Sequence, residues 1–165
     1  MKNSSPLTNE ETHQIYNRHL GTVYRVCFMY MKNEYDADDM AADTFCKLMK
    51  ERIIFESEEH EKAWLIRVAS NLCKNHFRHW WNRMKVGKDT EEIFVEQGFD
   101  IDETMEMIMN LPDKYKTAIY LHYYEGYSAV EIAKMLQIKE STIYGHLHTG
   151  RKLLKIQLES GLYGT

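Results

Sequence analysis

Between Lys62 and Lys88 the chain carries Lys62, Arg67, Lys74, Arg78, Arg83, Lys85 and Lys88, with no Asp or Glu among them. Trp64, Phe77, Trp80 and Trp81 are threaded through the same stretch. Cations of this kind sit on phosphates, and flat aromatic or amide side chains can meet bases that have left the stack. The stretch stands out because the whole chain is acidic, with a net charge of −4. As a helix, about 20 of its residues would span roughly 30 Å, enough to lie along duplex grooves. Helical spacing predicts one buried stripe of Leu65, Val68 or Ala69, Leu72 and His76, and an opposite face of Arg67, Asn71, Lys74, Asn75 and Arg78. The same pattern also fits a core helix with buried tryptophans and solvated cations.

Other chemistry is harder to find. His76 and His79 are three apart and His146 and His148 two apart, but neither pair has a third ligand at metal-site spacing. No HExxH, phosphate loop, Cys–His pair or paired catalytic carboxylates can be recognised, so neither an enzyme nor a cofactor is expected. Cys27, Cys46 and Cys73 are far apart and odd in number. They suggest reduced thiols in a cytoplasmic protein, with Cys27 and Cys73 among apolar helix positions.

The elements that must position the basic stretch follow from composition. Two prolines and eight glycines in 165 residues argue for helices over a turn-rich β fold, and 44% hydrophobic content is that of a globular chain. No apolar run approaches membrane-spanning length, and MKNSSPLTNE has no apolar signal core.

Taken in order, Thr8-Asn9-Glu10-Glu11 is a capping box that opens a helix. Tyr16, Leu20, Val23, Tyr24, Cys27, Tyr30 and Met31 continue it to about Lys32-Asn33. A second helix is predicted from Asp36, with Asp36 as its cap and Met40, Ala41, Thr44, Phe45 and Leu48 as its apolar side. Asp36, Asp39 and Asp43 form the other face, which suits either solvent and the helix dipole or a basic partner. Residues 51–61 have no clean period and read as a loop before the basic helix.

From Lys88 to Lys114 there is no Lys or Arg, while Asp89, Glu91, Glu92, Glu96, Asp100, Asp102, Glu103 and Glu106 accumulate. Residues 84–102 therefore read as an acidic linker between a first domain, 8–83, and a second, 103–162. In the second domain Met105, Ile108, Met109 and Leu111 precede Pro112, which starts a helix running to Glu125-Gly126. Ser128-Ala129-Val130-Glu131 is another capping box. It opens a short helix with Ile132, Ala133 and Leu136. After a Gln137-Ile138-Lys139 turn, a longer helix carries Ile143, Leu147, Leu153 and Leu154. This is a helix-turn-helix pattern.

With these three stretches in view, the chain resembles the sigma-70 superfamily of RNA polymerase sigma factors, in particular the two-domain extracytoplasmic-function (ECF) group. DADDMAADTFCKLMK (36–50) resembles region 2.2, KAWLIRVASNLCKNHFR (62–78) regions 2.3 and 2.4, and 111–154 region 4. The resemblance implies an all-α fold: a region 2 helical bundle and a region 4 helix-turn-helix joined by the acidic linker. It implies a factor that binds core RNA polymerase and directs it to promoter DNA, with no catalytic site, no cofactor and no small-molecule substrate. Asp36, Asp39, Asp43, Phe45 and Leu48 would meet the polymerase. Arg67, Asn71, Lys74, Asn75 and Arg78 would meet the −10 element, and the loop 52–60 would take a flipped base. Lys139, Glu140, Ser141, Thr142, Tyr144, Gly145, His146, His148 and Arg151 would meet the −35 element. An anti-sigma factor is a further implied partner.

The chain departs from the family pattern at Ala42, where Gln is usual, and at Asn75, where Asp is usual. Tyr144, His146 and Thr149 stand where Lys or Arg is common, Lys139 where Ser often caps, and Gly150 interrupts the recognition helix. A one-component helix-turn-helix regulator is the alternative function. It would require a ligand pocket and a dimer interface.

Overall fold

The computed structural model describes residues 7–83 and 102–161, and of residues 77–83 the backbone alone. Phe77, Arg78, Trp80 and Trp81 therefore have no described side chains, and nearly all of the predicted linker lies outside the described residues. Those residues are helical with no strand among them, in two compact units.

The first unit packs α1 (Asn9–Met31), α2 (Glu34–Lys50) and α3 (Glu58–Arg83) against one another. Thr8 caps α1 as its spacing predicts: Glu11 N–H donates to Thr8 Oγ1 at 3.1 Å, and Thr8 N–H to Glu11 Oε2 at 2.8 Å. Ile15, His19, Val23, Val26, Cys27 and Tyr30 are buried along α1. The helix stops at Lys32, whose backbone is left-handed at φ 62°. That conformation costs a non-glycine residue about 1 kcal/mol or more.

The cap of α2 is Asn33, not Asp36. Asn33 Oδ1 accepts from Asp36 N–H at 2.9 Å, and its Nδ2 donates to Met31 O and to Asp36 Oδ2. An amide does what a carboxylate cannot here, because it accepts from one helix end and donates to the other. Met40, Ala41, Thr44, Phe45 and Leu48 are buried as expected.

The helix α3 starts four residues before Lys62, since His60 N–H donates to Ser57 Oγ at 3.1 Å. Ser57 followed by Glu58 and Glu59 is a sound start signal. Its buried side is Trp64, Leu65, Val68, Ala69 and Cys73, whereas Leu72 and His76 sit half-buried at its border. The stripe drifts toward Cys73 because α3 is covered by both α1 and α2.

The second unit begins with α4 (Glu103–Met109), capped by Asp102, which accepts from Met105 N–H at 2.8 Å. Asp102 thus acts as a helix cap and not as linker. Pro112 precedes α5 (Asp113–Ile119). The helix predicted to continue to Glu125 instead widens into a π turn, Tyr120–Tyr124, closed by Glu125 N–H donating to Tyr120 O. Gly126 then reverses the chain at φ 84°. Ser128 and Glu131 form the predicted capping box of α6 (Ala129–Leu136), and α7 (Glu140–Glu159) follows the turn.

Gly150 lets α7 approach α5. A Cβ there would lie 2.5 Å from Ile119 Cδ1 and 2.6 Å from Ile119 Cγ1. The glycine that weakens the helix locally is what permits its packing.

Candidate nucleic-acid and polymerase interfaces

On α3 a turn of about 100° per residue gathers Arg67, Asn71, Lys74 and Asn75 into one arc away from the core. Asn71 and Asn75 are exposed, Arg67 and Lys74 half-buried. The arc offers two amides that can read base edges and two cations suited to phosphates. Arg78 continues it in register, on backbone alone. Before the arc, the loop 51–57 is tied to the first turns of α3. Glu56 N–H donates to His60 Nδ1 at 3.1 Å, and the Phe55 ring meets those of His60 and Trp64 edge-on at 5.3 and 6.0 Å.

On α2, Asp39 and Asp43 are exposed one turn apart, and among the described residues neither carries an ion pair. Asp36 is half-buried and held by Asn33. The negative field reaches α1: burial first, then the Asp38 and Glu34 carboxylates, push the Tyr24 phenol above its usual range. Beside the acids runs a shallow cleft of about 370 Å³ lined by Tyr16, Ala42, Phe45, Cys46 and Met49. Phe45 lines it with the Tyr16 ring edge-on at 4.8 Å. Leu48, expected to meet a partner, is fully enclosed in the unit's own core. Its apolar spacing marked the buried side of α2 and not its docking side.

In the second unit Ile143, Leu147 and Gly150 pack α7 inward. Helical phase then turns Ser141, Tyr144, Gly145, His148 and Lys152 outward, and all five are exposed. Lys139, Glu140, Thr142 and Arg151 are exposed around this face. His146 is not on it. It is half-buried against α5, its ring edge-on to Tyr115 at 5.5 Å, with Lys114 Nζ 4.9 Å from the Tyr115 ring centre. Lys139 gives no side-chain cap, as its lack of an acceptor oxygen requires. An α-helix presented this way after a three-residue turn fits a major groove.

Sequence reasoning missed the polar cluster of Arg18, His19 and Glu61, which joins α1 to the start of α3. Its partners are 42 and 43 positions apart. No local spacing signals such a pair.

Comparison with known proteins agrees with this arrangement. The family model described as "Sigma-70 region 2" matches residues 15–83, and that described as "Sigma-70, region 4" matches 101–154. Among curated relatives, the ECF RNA polymerase sigma factor SigW of Bacillus subtilis is 27% identical over 82% of this chain and 82% of its own length. SigX of the same organism is 25% identical over 91% of this chain and 85% of its own. Among solved structures, the sigma factor RpoE in complex with the anti-sigma factor NepR, from Bartonella quintana, aligns with a TM-score of 0.68. It is 20% identical and covers 89% of this chain and 96% of that one. CnrH, in complex with the cytosolic domain of CnrY, aligns with a TM-score of 0.64 at 19% identity, covering 93% and 90%. Two family models in this order, each on one helical unit, with ECF relatives matched along most of their length, establish that the chain belongs to the sigma-70 superfamily and to its ECF group.

Proposed function

We propose that this protein is a transcription initiation factor that binds core RNA polymerase and directs it to specific promoters. The observation that carries the reading is the pair of DNA-suited faces, one in each unit: the Arg67–Asn71–Lys74–Asn75 arc of α3 and the outward face of α7. It is a recruiting factor and not an enzyme. Its binding energy offsets part of the cost of unstacking DNA, a few kcal/mol per step.

Asp39 and Asp43, flanked by Asp36 and by the Tyr16–Phe45–Met49 cleft, form the polymerase-binding face. Acids give it charge complementarity, and the apolar cleft gives it contact area. Arg67, Asn71, Lys74, Asn75 and Arg78 bind the −10 element, and the loop 52–57 holds an unstacked base. Ser141, Tyr144, Gly145 and His148 read the −35 element, with Lys139, Glu140, Thr142 and Arg151 around them. His146 supports α7 from behind.

The protein works in the cytoplasm, where core polymerase and promoter DNA are. No helix among the described residues is long and apolar enough to cross a membrane. The two solved structures aligned above were captured with protein partners, one of them named as an anti-sigma factor. An anti-sigma factor is accordingly the regulator to seek here. The reading is tested by gel filtration and footprinting of purified protein with core polymerase. The expected result is co-elution with core and protection of two promoter elements only when core is present. Operator binding by the protein alone, with no affinity for core, would instead identify a one-component regulator.

A further inference from the structure

At the start of α3 an ion cluster ties the helix to α1. Arg18 Nε donates to Glu61 Oε2 at 3.2 Å, and Nη2 lies 3.1 Å from both Glu61 oxygens. Arg18 Nη1 also reaches Glu58 Oε1 at 3.6 Å. From the next position on α1, buried His19 donates Nε2–H to Glu61 Oε2 at 3.0 Å. A carboxylate as enclosed as Glu61, with 11% of its side chain exposed, is costly to a fold unless paired in this way.

The cluster stands at the turn from which the preceding loop hangs. Glu58 and Glu61 flank His60, which accepts from Glu56 N–H and touches the Phe55 ring. On its other side a cleft of about 460 Å³ is lined by Ile53, Ile54 and Phe55 of the loop and by Gln14, Ile15 and Arg18 of α1. Beside this cleft the guanidinium fork ties α1 to the first turn of α3 through Glu58 and Glu61. Its planar, two-sided grip fixes orientation as well as distance, which a lysine cannot do.

We infer that Arg18 is a positioning residue for base capture. By holding Glu58 and Glu61 it fixes the first turn of α3, from which the loop 52–57 hangs, and so determines how selectively an unstacked −10 base is held between that loop and Arg67 and Asn71. The inference rests on the reading of that loop as the base-capture element.

The test uses holoenzyme reconstituted with core polymerase, on a promoter taken from its own mapped transcript starts. The −10 region is left unpaired, and each of the four bases is placed in turn at every unpaired position. Wild type should prefer one base at one position by about tenfold. Arg18→Gln should reduce that preference to about twofold or less, and Arg18→Lys should fall between them. Affinity for core and thermal midpoint are measured on the same proteins. A structural role alone would weaken binding to all four templates in proportion and leave the preference intact, and that result overturns the inference. If Arg18→Gln does not fold, Arg18→Lys decides, and a preference equal to wild type overturns it. A wild type with no base preference at any unpaired position removes the base-capture reading itself, and the inference with it.

Discussion

Gly150 and Ile119 are in contact across the α5–α7 crossing so closely that a single added β-carbon would meet Ile119 Cδ1 at 2.5 Å. Helix propensity and packing therefore make opposite predictions for Gly150→Ala. Propensity favours alanine by up to about 1 kcal/mol, while overpacking costs about 1–3 kcal/mol. Packing should win, and the variant should unfold at lower denaturant. Ile119→Val removes Cδ1 and should recover part of the loss in the double mutant. A Gly150→Ala protein more stable than wild type would show that Ile119 can move aside freely.

Reversing Asp39 and Asp43 to Lys should leave the fold intact, because both are exposed, and weaken core binding by at least about tenfold. Leu48→Ala is the contrast. It opens a cavity in the first unit and should cost about 2–5 kcal/mol of stability. Competition for core polymerase and urea unfolding separate the two. Unchanged competition by the double reversal would remove α2 from the polymerase interface.

The two DNA faces should fail differently. Asn71→Ala should impair strand opening at −10 while closed complexes still form, and permanganate reactivity reports this. Ser141→Ala or His148→Ala should change −35 preference by about 1–3 kcal/mol for the base concerned. His146→Ala, by its place against Tyr115, should lower stability with the preference unchanged. A changed preference in that variant would put His146 in the groove.

Both capping boxes make stability depend on acid. Hydrogen bonds from the backbone and hydroxyl of Thr8 hold the Glu11 carboxyl below its ordinary 4.5, and those of Ser128 do the same for Glu131. A lowered carboxyl pKa favours the folded state at neutral pH. That contribution is lost as pH falls from the ordinary value to the lowered one. Wild type should thus lose stability below about pH 4.5 more steeply than Glu11→Gln or Glu131→Gln. Ser128→Ala should cost about 1 kcal/mol at neutral pH. Parallel slopes for wild type and the Gln variants would mean the caps do not titrate with folding.

What was legible in the sequence follows from how far apart the interacting groups lie. Thr8 with Glu11 and Ser128 with Glu131 are local, and both boxes form as read. The apolar sides of α2 and α7 were equally plain, since period alone places Thr44, Leu48, Ile143 and Leu147. The start of α3 was hidden because Ser57 sits among acids and isoleucines that blur the period. Cys73 replaced Leu72 on the buried stripe because two neighbouring helices widen it. Gly150 was read as a local cost when its partner is on α5, and no local spacing showed that His146 lies against Tyr115. Arg18 and Glu61, 43 residues apart, left no trace in any local pattern.

Run-off transcription with core polymerase on a library of genomic DNA fragments, with transcript 5′ ends sequenced, shows whether this protein directs polymerase to promoters. With the protein present, starts should concentrate at sites sharing two short motifs at fixed spacing. Asn71→Ala should reduce output from those sites, and Ser141→Ala or His148→Ala should change which upstream motif is chosen. The same starts with and without the protein would contradict the account.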